Sequence, residues 1–565
     1  MVLPLVDLCA KEVVSDHSSS PGWLGCVPRE LYRPLLDAAF TNCRPLAVGE
    51  LVQRWPERTL RVGGRRRQGQ SPPNRLCVQA LLLAVVRGLA DKRCALQVLD
   101  LCGLQSEEGG VGDPMGGWSL TVALCTMVVQ ARAGAQRALR RDGERERKRV
   151  AAMEREKDLV KREREKPANE EEEGGRPLAK CVRTEKAGPE TSGCPGEGER
   201  VKGVRRRMEM ERRKESAAAP VGGSAGEESD HSEDTEVVVV HVRADLFVNA
   251  RSWDRARAAL GTPGPLKLQC RYIRVEELSV SSIRSLLDLL PRSCLMGVDI
   301  RYSCLGVAGL ALLLPQLAAF PALSSLRLHY CNLDVRRDIA GQEGALRDLS
   351  RGLGQLGQLR RLSLTALRLP GHLRMLLSSL SQPLEVLELP YLSLTPADLA
   401  YLSCSPHASS LQQLDLSENR LDESAVPSLR QLLSRASGCL VHLSLSGCGL
   451  TNELLAALLP SLARCRSLKS LALALNPLHL AGLLELVRTA VGMASLRQLL
   501  YPNPLEDYQP GLPPMPTSAQ LLDWPLDELV AVHEATSLQL DRVVGESGRS
   551  DLFLTSDLLN YDKGC

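Results

Sequence analysis

The chain has 565 residues, room for three or four average domains, and a hydrophobic fraction of 44 % that is normal for a globular protein. Aromatic residues make up only 3 %, so a core must be built from aliphatic side chains, leucine above all. Net charge is +3, from 70 basic and 67 acidic residues, and so small a surplus excludes global steering toward nucleic acid or an acidic membrane.

The first residues, MVLPLVDLCAKEVV, have no basic start and are interrupted by Asp7, which speaks against a secretory signal. The longest uninterrupted apolar run, Leu81 to Val86, stops at Arg87, well short of a membrane span. A reducing, cytoplasmic setting is therefore expected, with the 18 cysteines as free thiols. No Cys-x-x-Cys pair occurs and the histidines are scattered, so no metal and no cofactor are expected.

Residues 1–138 read as a helical amino-terminal capping region, with a continuous apolar helix pattern over Leu76 to Leu89. One strand-like unit, ALQVLDLCGL, stands alone in it at Leu96, Leu99, Leu101 and Leu104. Two short patterns precede these. Pro4, Leu5, Cys9 and Val13 have the spacing of an elongin-binding box, in which one apolar helix stripe is offered to a partner groove. Val27, Pro28, Leu31 and Leu35 have that of a cullin-2 box, with proline fixing the helix entry. An ordinary amphipathic helix capping the first repeat accounts for the same residues.

Residues 139–236 change character. The run RRDGERERKRVAAMEREKDLVKREREK cannot bury enough surface to fold alone, although its alternating charges at three- and four-residue offsets suit a solvated helix. Beyond Pro167 the composition is that of a low-complexity, disordered insert. Lys202-Gly-Val-Arg-Arg-Arg and Glu211-Arg-Arg-Lys offer a nuclear import receptor a basic cluster, which keeps nuclear entry open as a second localisation.

Residues 237–510 contain an internal repeat. L-x-x-L-x-L-x-x-N/C-x-L occurs without fault from Leu411, Leu440 and Leu468, in another good copy from Leu323, and loosely from Leu295, Leu359, Leu384 and Leu496. Starts at 384, 411, 440, 468 and 496 lie 27 to 29 residues apart, room for a strand and a full helix. The expected fold class is α/β: a leucine-rich-repeat horseshoe, a strand–helix solenoid like ribonuclease inhibitor, with a helical amino-terminal cap and a carboxy-terminal cap over 511–565. Alternation puts the second and third leucines of each unit into the core. The residues flanking them, among them Arg327, Arg361, Glu388, Gln413, Asp415 and His442, then face the concave side as candidate partner contacts. No phosphate loop, zinc-protease helix or nucleophile elbow is present, so no catalytic residue is assigned.

VPRELYRPLLDAAF, ELVQRWP, ALQVLDL, VVVVHVRADLFVN and SPHASSLQQLDLS, with LLSRASGCLVHLSLSGCGLT and LLYPNPLEDY further on, together resemble the PRAME family over nearly all of the chain except about 139–235. The resemblance implies a cytoplasmic regulator without enzymatic activity that binds proteins and contacts neither nucleic acid nor membrane directly. One branch of that family is associated with damping Toll-like-receptor and NF-κB signalling by binding the inhibitor-κB kinase beta subunit. Other members are associated with elongin B/C and cullin-2, as substrate receptors of a ubiquitin ligase, or with nuclear repression of transcription. The ligase role carries over to Pro4, Leu5, Cys9, Val13, Val27, Pro28, Leu31 and Leu35; the kinase contact carries over to no particular residue. The charged spacer is longer than the family pattern leads one to expect.

Overall fold

The computed structural model describes residues 5–15, 27–62, 74–91, 95–102, 104, 117–164, 239–261, 263–334, 342–527 and 530–558. Two compact units are present, Met1–Arg140 together with Val237–Cys565, and Arg141–Glu236.

The first unit is organised by one parallel sheet of 13 strands, each hydrogen-bonded to the next in chain order. They are β1 (Thr59–Arg61), β2 (Val98–Asp100), β3 (Val240–Asn249), β4 (Leu266–Glu276), β5 (Gly297–Arg301), β6 (Ser325–His329) and β7 (Arg361–Thr365), then β8 (Val386–Glu388), β9 (Gln413–Asp415), β10 (His442–Ser444), β11 (Ser470–Ala472), β12 (Gln498–Leu500) and β13 (Phe553–Thr555). Parallel neighbours need a crossover, and in most repeats a helix supplies it, for example Val280–Leu289, Gly306–Leu317, Val426–Ala436 and Asn452–Leu462. This is the strand–helix leucine-rich-repeat architecture the spacing predicts.

The repeat leucines build the core. Leu411, Leu414, Leu416 and Leu421 are all buried, as are their counterparts Leu440, Leu443, Leu445 and Leu450 one unit on. Each such leucine removed from water contributes about 1.5–3 kcal/mol, and it does so only because the neighbouring unit covers it. Asn419 locks two units together. Its Nδ2 donates to the carbonyls of Leu389 (2.8 Å) and Leu416 (2.9 Å), while the Leu394 N–H donates to its Oδ1 (3.1 Å). Asn476 repeats this pattern with Leu445, Leu473 and Leu450. Cys331 and Cys448 fill the same position more weakly, each thiol donating to one carbonyl of the preceding strand at 3.3 Å.

The sheet runs past both ends of the segment in which the repeat is legible. The strand that stands alone in the sequence is β2, and it joins β1 on one side and β3 on the other through Leu60↔Leu99 and Leu99↔Val242. β1 and β13 carry no L-x-x-L-x-L unit to announce them, and β3 lies some 140 residues downstream of β2. At the other end, Leu499 pairs with Leu554 of β13, so the carboxy-terminal cap adds a strand as well.

A helix from Gly117 to Arg164 precedes β3. Its start is apolar and buried at Leu120, Leu124, Cys125, Met127, Val128 and Ala131, and Thr121 Oγ1 accepts the Phe247 N–H of β3 at 2.7 Å. The part in the second unit is solvated. Arg145 and Arg149 reach Asp142 and Glu146 at 3.8 and 3.9 Å, pairs that the charge spacing predicts. The two basic clusters at 202–214 lie outside the described residues.

Candidate functional site

Strand alternation divides the first unit into a leucine face and an open face. On the open face the register aligns side chains in rows. One row runs Asp299, Arg327, Ser363, Glu388, Asp415, Ser444, and the adjacent one Ser325, Arg361, Val386, Gln413, His442, Ser470. The six residues proposed as concave contacts therefore share one contiguous surface, and Gln413 Nε2 donates to Glu388 Oε1 at 2.8 Å.

Charge on this face is zoned. From β3 to β7 basic residues predominate, with Arg243, Lys267, Arg271, Arg274, Arg301, Arg327 and Arg361 at outward positions among Asp245, Glu276 and Asp299. Three of these have carboxylates nearby. Arg274 meets Glu276 at 2.5 Å, Arg301 meets Asp299 at 2.8 Å, and Arg271 lies 3.9 Å from Asp245. His329 lies among the cations. Burial, with Arg301, Arg327 and Arg274 acting the same way against Asp299, lowers its imidazole pKa to about 4, so the ring is neutral at pH 7.

From β8 to β9 the sign reverses. Burial raises the Asp415 and Glu418 carboxyls above the usual carboxylate range, with Glu388 adding to the effect at Asp415. Glu418 accepts the Ser518 hydroxyl at 2.5 Å from the carboxy-terminal segment. Gly447 sits beside it at φ 66°, where a Cβ would run into the Glu418 carboxylate. From β10 to β12 the face carries no acidic or basic side chain beyond His442: His442, Ser444, Ser470 and Gln498 stand beside Ala472, Ala474 and Leu500, which are buried together.

The loose copy from Leu295 is β5, but the outward basic residues of β3 to β5 were not among the expected contacts, because no faultless repeat marks those strands. β4 carries a register shift, so its outward residues change parity between Gln269 and Tyr272. The alternating run His241, Arg243, Asp245, Phe247, Asn249 was the available signal for β3.

The amino-terminal boxes fall on two helices. Pro4 lies outside the described residues. Leu5, Cys9 and Val13 share an exposed stripe of the helix Leu5–Ser15, whose opposite side buries Ala10 and Val14. In the second box Pro28 is exposed, Leu31 is 40 % exposed, and Val27 packs partly against the core. Leu35 is buried in the helix Tyr32–Thr41 and so belongs to the packing of this conformation, with no surface to offer a partner.

The described cysteines are free thiols. Burial pushes Cys331 up to about 12 and Cys465 up to about 11, which keeps them protonated and unreactive. Among the described residues no group of three or more His, Cys, Asp or Glu could hold a metal ion, and no helix is long and apolar enough to cross a membrane.

Residues 3–108 match the PRAME N-terminal domain and residues 251–512 match the PRAME C-terminal domain. The chain belongs to the PRAME family. Within it, the chain is 33 % identical to leucine-rich repeat-containing protein 14 of Xenopus laevis over 581 residues, spanning 98 % of this chain and 97 % of that relative. It is 40 % identical to the Homo sapiens protein of the same name over 323 residues, 57 % of this chain and 65 % of that one. Among solved structures it is similar to the leucine-rich repeat-containing protein LegL7 of Legionella pneumophila, with a TM-score of 0.31 and 15 % identity over 55 % of this chain and 91 % of that one. An internalin of Listeria monocytogenes gives a TM-score of 0.25 and 13 % identity over 47 % and 75 % of the two chains. For this PRAME-family chain, the two matched domains fall on the amino-terminal helices with β1 and β2, and on the repeats from just after β3 to beyond β12.

Proposed function

We propose that this chain is a non-enzymatic scaffold whose open sheet face captures a partner protein, and that the partner is the inhibitor-κB kinase beta subunit. Holding that subunit would disturb assembly of the kinase complex and lower Toll-like-receptor and NF-κB output. The observation that supports a scaffold is the continuous open face of aligned polar side chains from β3 to β9, fixed by a rigid leucine core. The choice of the kinase rests on the family. Co-purification of the full chain with the kinase subunit tests it, beside an NF-κB reporter in cells that over-express or lack the chain. A reporter indifferent to both manipulations defeats the signalling role. The working compartment is the cytoplasm, and a fluorescent tag found chiefly in the nucleus would favour transcriptional corepression instead.

A second reading is a substrate receptor of an elongin–cullin-2 ubiquitin ligase. It is favoured by the exposed stripe Leu5, Cys9, Val13, which leaves the helix docked through Ala10 and Val14 while its other side is free. Affinity purification of the intact chain beside Leu5→Ala/Cys9→Ala tests it. Elongins and cullin-2 present with the first and absent from the second support the ligase role; their absence from both leaves that helix as a cap.

A further inference from the structure

We propose that the open face from β5 to β9, bounded by a ledge of tyrosines, seats a bipolar segment of a partner protein, with acidic side chains over Arg327 and Arg361 and a basic one toward Glu388 and Asp415. This names the partner chemistry of the scaffold face and rests on that reading.

The ledge comes from the repeat itself. Four residues after the central buried strand residue, the backbone turns left-handed in every unit from β4 to β11: Glu277, Tyr302, Tyr330, Ala366, Tyr391, Glu418, Gly447 and Leu475 have φ between 50° and 66°. Glycine or asparagine takes such a position most cheaply, and a bulky residue there is strained. Tyrosine nevertheless occupies it after β5, β6 and β8, and these residues are 53 %, 48 % and 48 % exposed, so burial does not offset the strain. Tyr302 and Tyr330 stack on each other at 5.3 Å and 12°, a rigid apolar step beside the basic rows. Exposed, preordered tyrosines beside unpaired arginines are what protein-binding surfaces use as anchors.

Two further observations mark the seat. Arg327 and Arg361 have no ion-pair partner among the described residues, while Arg274 and Arg301 have carboxylates of their own. Beside them are two buried polar atoms with no hydrogen-bond partner: Ser363 Oγ, directly across from Arg327 in the register, and His329 Nε2, two residues beyond Arg327 on β6 and 3.8 Å from Asp299 Oδ1. Such groups are costly to leave unpaired, and an acidic side chain seated there would accept from the Ser363 hydroxyl and pair with the arginines. The sign reversal at Glu388, Asp415 and Glu418 decides between classes of partner. A nucleic-acid strand lying along the rows would bring its phosphates onto those carboxylates, whereas a polypeptide can carry both signs in the right order.

The test is selection of random twelve-residue peptides displayed on phage against the full chain, followed by affinity measurement on Arg327→Glu/Arg361→Glu, Tyr302→Ser/Tyr330→Ser and Leu5→Ala/Cys9→Ala. Thermal unfolding of each variant checks that it folds, and Arg327→Lys/Arg361→Lys keeps the charge where the reversal fails to fold. The expected result is enrichment of Glu- or Asp-rich peptides ending in Lys or Arg, weakened at least about tenfold by the arginine reversal and by the tyrosine pair, and unchanged by the Leu5/Cys9 variant. Peptides without acidic bias, indifference to the arginines, no enrichment at all, or tighter arginine-dependent binding of a 20-nucleotide oligouridylate each overturn the proposal. Peptides that depend on Leu5 and Cys9 instead overturn it as well, yet leave the scaffold reading standing.

Discussion

Asn419 and Cys448 occupy the same place in successive repeats and do different amounts of work there. The asparagine accepts one buried N–H and donates to two carbonyls within 3.0 Å, so its removal leaves several buried groups unpaired. The thiol donates to single carbonyls at the longer distances of 3.3 and 3.7 Å. Asn419→Ala is expected to cost about 2–3 kcal/mol, and Cys448→Ala clearly less; urea unfolding of the two variants ranks them. His329 gives a pH dependence of known sign. Its folded pKa of about 4 lies below the ordinary 6.5, so the unfolded chain binds more protons in that window. Its contribution is present above pH 6.5 and is lost as the pH falls through about 4. His329→Gln should flatten the fall in stability between those values relative to the parent chain, and denaturation at pH 7, 5.5 and 4.5 measures it.

Elements carry the next level of organisation. The helix Leu5–Ser15 is held by Ala10 and Val14 and not by its more apolar stripe. Val14→Asp should therefore detach it, by about 2–4 kcal/mol for burying an unpaired charge, with early tryptic cleavage at Lys11. Leu5→Ala/Cys9→Ala should leave stability within about 0.5 kcal/mol. The same experiment that removes a docking stripe thus leaves the fold as its own control. Further along, Asp398 shows how one cap serves two repeats. It closes the capping box with Thr395 and also accepts the Gly371 and Leu373 N–H groups of the preceding unit at 2.7 and 3.1 Å. That double duty explains a buried carboxylate in an otherwise apolar layer.

At the scale of the molecule, the sheet is assembled from both sides of a long charged insertion. Strands β2 and β3 are neighbours although Asp100 and Val240 are separated by the helix Gly117–Arg164 and by residues whose composition cannot supply a core. Replacing 165–236 by about 20 Gly and Ser residues, roughly 25 Å of mean reach, should move the thermal midpoint by less than about 2 °C. A large loss of stability would assign the insertion a structural role. The zoned charge of the open face also emerges only at this scale, because it is a property of rows across strands and not of any one strand.

The sequence by itself determined the repeat, its 27- to 29-residue period and the inward leucines, because a solenoid repeats the same local requirement in every unit and each copy confirms the others. It also placed Arg327, Arg361, Glu388, Gln413, Asp415 and His442 on one face, since alternation alone decides that. Only the tertiary structure shows that β1, β2 and β13 extend the sheet, because β1 and β13 carry no repeat unit and β2 pairs with β3 across the long insertion. It alone showed Leu35 buried where Leu5 is exposed, although both fit an apolar helix pattern, since burial depends on what packs against a helix and not on its own spacing. And it alone stacked Tyr302 on Tyr330, with Tyr391 at the same position two strands further on, because residues 28 positions apart become neighbours only when the repeats stack.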